Sequence, residues 1–181
     1  GGGAVTNSSV VPATIAISPE PGVTASFSGV IADAGVTNNA VTIAMLGNGN
    51  GTQILSGNNK YTGPTLVYGG TLSISADANL STTSSPVSIF ASGVLQATAS
   101  FTNAHTITIA GAGGAIDVAG ATTTYTLGNN AIAAGAVILI SPHLALDIMK
   151  NFSELYTLMF RSNRWKTMPQ DYRLRMVALQ Y

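Results

Sequence analysis

One pattern constrains this chain more than any other: a glycine followed by apolar residues at the second and fourth positions after it. It stands at Gly70, Gly93, Gly114 and Gly135, with Leu72, Leu95, Ile116 and Val137 in the first apolar slot. The glycines are 23, 21 and 21 residues apart. Gly51 lies 19 before Gly70 and fits less well, because Gln53 occupies the apolar slot. A second series is interleaved, Val87-Ser88-Ile89, Ile107-Thr108-Ile109 and Tyr125-Thr126-Leu127, and Ile15-Ala16-Ile17 and Val41-Thr42-Ile43 alternate upstream without a clear register. Alternation with period two means strands with one buried face. Two short strands returning about every 20 residues between Gly, Asn and Ser turns describe a coil that stacks on itself. The hairpins of a β-sandwich also give short strands, but they seldom return one motif at a near-constant period. Each repeat glycine is expected where φ is positive or where another backbone passes closely.

Composition supports β structure. Only 8% of the 181 residues are charged, against a usual share of about 25%. Thr, Ser and Asn supply the polarity instead, and they suit sheet surfaces and turns better than long helices. The formal net charge is zero, so no whole-molecule field favours nucleic acid. The absence of cysteine excludes disulfides, thiolate metal sites and Cys nucleophiles. No signal peptide is recognisable at Gly1-Gly2-Gly3, as expected of an internal fragment or a trimmed mature chain. The apolar stretch 131–140 is too short to span a membrane.

The chain changes character at Ser141-Pro142. Residues 1–140 hold all 20 glycines, one base (Lys60) and four acids, whereas 141–181 hold six bases and three acids. Two units follow, a repeat region 1–140 and a tail 141–181. Ser141-Pro142 reads as an N-cap followed by proline at the first helical position. Beyond it Ala145, Ile148, Met149, Phe152, Leu155, Tyr156, Met159 and Phe160 share one helical face, predicting an amphipathic helix over about 142–161. Such a helix would cap the last coil. Sequence foreign to the repeat and a membrane- or partner-binding role for Arg161, Arg164, Trp165, Lys166, Arg173 and Arg175 remain alternatives.

From Gly51 through Leu55-Ser56-Gly57-Asn58-Asn59-Lys60-Tyr61-Thr62-Gly63-Pro64-Thr65 to Gly69-Gly70-Thr71-Leu72, the chain resembles the passenger-associated β-strand repeat of bacterial autotransporters. About 25 residues match closely, and weaker echoes run from Phe27–Ile31 to Thr122–Tyr125. It departs at Pro64, where a second glycine is common, and at Tyr68, where Asn is frequent. The resemblance implies an all-β, right-handed, single-stranded parallel β-helix passenger, secreted and displayed on the bacterial cell surface as an adhesin or stalk. Its partners would be host or neighbouring-cell surface proteins or glycans. The family's translocating outer-membrane barrel is not expected within this chain. The motif residues are structural, so no catalytic residue is carried over.

No constellation of residues announces chemistry, and no cofactor or metal is expected. His105 and His143 have no acidic neighbour in sequence. Asp33, Asp77 and Asp117 are about 40 apart. If they faced one another they would imitate the carboxylate pair of a β-helix carbohydrate-active enzyme; solvated turns are the plainer role. Gly111-Ala112-Gly113-Gly114 lacks the Lys-Ser/Thr of a phosphate loop. Asn58 and Asn59 suit a hydrogen-bonded ladder between coils. The Thr122–Thr126 run suits a hydroxyl-rich outer face, or simply solvent-facing strand positions.

Overall fold

The structure is a computed structural model that describes residues 1–35, 38–47, 49–82, 85–110, 114–119, 123–127 and the backbone of 139–140. Its strands are β1 (Ala4–Asn7), β2 (Ala13–Ile17), β3 (Thr24–Phe27), β4 (Val30–Asp33), β5 (Val41–Leu46), β6 (Thr52–Leu55), β7 (Thr65–Ile74), β8 (Val87–Ala97), β9 (Phe101–Asn103), β10 (Ile107–Ala110), β11 (Ala115–Val118), β12 (Tyr125–Leu127) and β13 (Leu139–Ile140). One short 3-10 turn, Asp77–Asn79, interrupts them. Every pairing between these strands is parallel. The chain is therefore a β-solenoid of about five turns with three faces.

β1 and β4, the Ala32–Lys60 bridge, the 3-10 turn, β9 and β12 form the first face. β2, β5, the first half of β7, the first half of β8 and β10 form the second. β3, β6, the remaining halves of β7 and β8, β11 and β13 form the third. β7 and β8 thus turn a corner without breaking. The register slips between Val67 and Gly69, a β-bulge that bends the strand, and Gly70 there takes φ +69°.

Inward positions stack coil on coil. Ile15, Ile43, Thr65, Val87 and Ile107 form one column, and Ile17 or its counterparts Met45, Val67, Ile89 and Ile109 the next. On the third face Gln53, Leu72, Leu95 and Ile116 align, beside Leu55, Ile74, Ala97 and Val118. These inward side chains are almost all fully buried, and each large one contributes roughly 1.5–3 kcal/mol of transfer free energy.

Two registers differ from the sequence expectation. Ile116 pairs with Ile140, not Val137. The stretch 131–140 is apolar at nearly every position, so alternation cannot fix which residue faces inward. Tyr125 pairs with Phe101 on the first face, and so does not continue the column of Val87 and Ile107. Gly135 and Val137, and the expected helix over 142–161, lie outside the described residues.

Candidate functional site

The repeat glycines lie where coils touch. A Cβ at Gly57 would fall 1.8 Å from the Gly29 carbonyl oxygen, at Gly63 2.3 Å from that of Val41, and at Gly93 2.2 Å from that of Val67. Gly51 meets the Pro19 oxygen at 2.6 Å, and Gly114 meets Ile109 at 2.9 Å. Among these repeat positions only Gly70 has positive φ. Close approach, not left-handed backbone, is the commoner reason for glycine.

Polar side chains lock the first face. Asn59 is buried; its Oδ1 accepts from Ile31 N at 2.9 Å, and its Nδ2 donates to Asn79 O at 2.6 Å. Asn79 Nδ2 donates back to Gly57 O at 3.0 Å, while its Oδ1 accepts from Ser75 N and Ala76 N, each at 2.9 Å. Three successive coils are thereby tied through two amides. Asn58 is exposed and outside this lock. Buried Tyr61 bonds Thr65 Oγ1 through its hydroxyl at 2.7 Å. Burial first, and the Thr65 bond in opposition, leave its phenol well above the usual range. Tyr125 is raised as well, by burial and then by the charge of Asp77.

The three aspartates serve separate parts of the coil. Asp33, ending β4, accepts from Val41 N at 2.7 Å, Thr62 N at 3.0 Å and Thr62 Oγ1 at 2.5 Å. Asp77 begins the 3-10 turn; its Oδ1 accepts from Ala104 N at 2.9 Å and lies 3.6 Å from His105 Nε2. Asp117 projects from β11 and accepts from Gln96 Nε2 at 2.8 Å, and Gln96 Oε1 accepts from Ser73 Oγ at 3.1 Å. They occupy different coils, Asp33 and Asp77 on the first face and Asp117 on the third, and each is taken up by donors of its own or an adjacent coil. His105 is buried, and its Nδ1 sits 2.9 Å from Ser85 O. A carbonyl only accepts, so Nδ1 carries the hydrogen, and the ring ties the fifth coil to the fourth. Sequence spacing hid this neighbour: Asp77 is 28 positions away. Among the described residues no group of three or more His, Asp or Glu is placed to hold a metal ion, and no helix is long and apolar enough to cross a membrane.

The outer surface carries two further features. Tyr68, at the β7 bulge, stacks on Phe90 of β8 with ring centroids 4.6 Å apart and planes 17° apart. Tyr68 and Leu46 are each 43% exposed, so the corner shows an apolar strip. An open cleft of about 560 Å³ lies where the first face passes into the second, lined by Asp33, Asn38, Asn39, Lys60 and Thr62 among others. Sequence reading missed both, because each depends on a bulge or loop length that alternation does not encode. In the Thr run Thr126 pairs with Thr102, and Thr122 lies outside the described residues.

A stacked parallel coil closed by glycine contacts and asparagine bridges is the class that this architecture defines. Residues 48–74, which join the second coil to the third, match the model of the passenger-associated-transport-repeat family. A similar protein is the "Adhesin BmaC autotransporter" of Brucella suis biovar 1 (strain 1330), 46% identical over 63 residues. That match covers 35% of this chain and 2% of the much longer relative. No solved structure matches the chain.

Proposed function

We propose that this chain is a segment of a secreted autotransporter passenger, displayed at the bacterial surface, where the solenoid is the stalk and its outer faces are adhesive. The observation that carries this reading is the repeat at 48–74 seated in a coil whose buried apolar core runs from Ile31 to Tyr125. Such a rod extends by adding turns, and adhesion then follows from many weak contacts repeated along it. The similarity to a protein named as an adhesin agrees with this. A non-catalytic role is supported by the dispersal of Asp33, Asp77 and Asp117, each spent on backbone or side-chain donors of its own or a neighbouring coil. Partners would be surface proteins or glycans of host or neighbouring cells.

The test is adhesion itself. Beads coated with the folded chain should bind epithelial cells or sister bacteria more than beads coated with the heat-unfolded chain. Equal binding would remove the adhesive role and leave a stalk. Release of reducing sugar from polysaccharides by the purified chain would instead restore the enzymatic reading.

A further inference from the structure

We propose that the cleft beside Lys60 binds a carboxylate-bearing sugar, so that the adhesive surface recognises acidic glycans. This rests on the adhesive reading above and names its ligand. The cleft's volume, about 560 Å³, lies within the range of about 300–1,000 Å³ common to small-ligand sites. Asp33, Thr62 and Asn39 of its lining are already held by hydrogen bonds. Asp33 has both oxygens engaged by Val41 and Thr62. Asn39 is buried and exchanges amide hydrogen bonds with Asn7, at 2.9 Å and 3.0 Å. Groups held this way need no reordering when a ligand arrives.

The remaining lining groups suit a sugar acid. Lys60 is the one Lys or Arg among the described residues, is exposed, and forms no ion pair among them. Its ammonium is therefore left unpaired by them, and the one carboxylate in the described lining, Asp33, is taken up by three donors. The Thr62 hydroxyl gives its hydrogen to Asp33, which leaves its lone pairs to accept from a sugar hydroxyl. Asn38 adds an amide with both donor and acceptor, held on the cleft wall at φ 64°. Exposed aromatic or aliphatic anchors, which dominate protein–protein hot spots, are missing from the described lining. A hydroxyl-rich ligand with one negative charge fits this set better than a peptide does.

The test uses the full chain with short galacturonate oligosaccharides as probes, and their methyl esters as neutral twins. Calorimetry should show binding of the acid form that weakens as salt rises from about 0.05 to 0.3 M. Lys60→Met should weaken it by about tenfold, the loss of one charge-assisted bond, while Lys60→Arg retains most of it. Unchanged thermal unfolding of both variants secures the comparison, since Lys60 is exposed. Equal affinity for the methyl esters, an unaffected Lys60→Met variant, or no binding of the acid form would each overturn the proposal. Bead adhesion scored in parallel separates the two readings. Adhesion that persists without galacturonate binding sinks the cleft alone, and galacturonate binding without adhesion sinks the adhesive role alone.

Discussion

At Gly93 a methyl group would fall 2.2 Å from the Val67 carbonyl oxygen, whereas at Gly35, with φ +76°, nothing stands within 4 Å. The two positions call for glycine for different reasons, and substitution separates them. Gly93→Ala forces two coils apart and should lower stability by about 3 kcal/mol. Gly35→Ala meets only a backbone penalty of roughly 1–2 kcal/mol. Urea unfolding of the two variants measures the difference; equal losses would refute close coil contact as the purpose of the repeat glycine. Glycine spacing was legible in the sequence, but the nature of the constraint was not, since it depends on a carbonyl 26 residues upstream. The buried tyrosines set an alkaline limit. Tyr61 and Tyr125 are held above the ordinary phenol value, so the unfolded chain ionises first, from about pH 10. Their contribution is complete below that point and falls by about 1.4 kcal/mol per pH unit per tyrosine as the pH climbs further. Tyr61→Phe should flatten this decline by one tyrosine's share, read as urea midpoints from about pH 9 to 12. An unaltered slope would assign the alkaline loss to other groups.

Within the strands, alternation identified inward residues well where polar and apolar positions take turns. Leu72, Leu95 and Ile116 lie in register, as do Val87 with Ile107 and Ile89 with Ile109. It failed where that contrast disappears, at Ile116 and Ile140, and where a strand changes face. The upstream register was obscured because β2 and β5 are offset by 28 residues, while β5 and the start of β7 are offset by 22. The longer connection after Asp33 absorbs the extra length. The bulge at Tyr68 was also invisible, and with it the Tyr68–Phe90 stack. This pair decorates an exposed corner, so Tyr68→Ala should cost only about 0.5–1.5 kcal/mol. Leu95, fully buried between Leu72 and Ile116, should cost about 2–5 kcal/mol when cut to Ala. Both are measurable by chemical denaturation. A larger loss at Tyr68 than at Leu95 would place the stabilising contacts outside the coil.

Across the whole molecule, the composition break at residue 141 supports a repeat unit 1–140 followed by a separate tail, and trypsin tests that division. Lys60 is the one tryptic position before Lys150, and its backbone N donates to Ile31 O at 2.8 Å within the first face. Digestion of the native chain should therefore leave a long fragment that ends near Lys150 with Lys60 uncut; early cleavage at Lys60 would contradict it. Stability should also vary along the rod. A stacked coil draws on both neighbours, and within residues 1–181 the first coil is covered on one side: Val5 is 41% exposed and Val23 48%. An apolar hollow of about 180 Å³ opens there among Val5, Ile15, Ile17 and Phe27. Nearest-neighbour coupling then lets this end open without the rest. Hydrogen exchange should show the amides of Val5, Ile15 and Phe27 exchanging at least about tenfold faster than those of Val67, Leu72 and Leu95, whose coils are covered on both sides. Uniform protection from the first coil to the fifth would mean that the solenoid opens as a single unit, and that coil-to-coil contacts are not what sets its local stability.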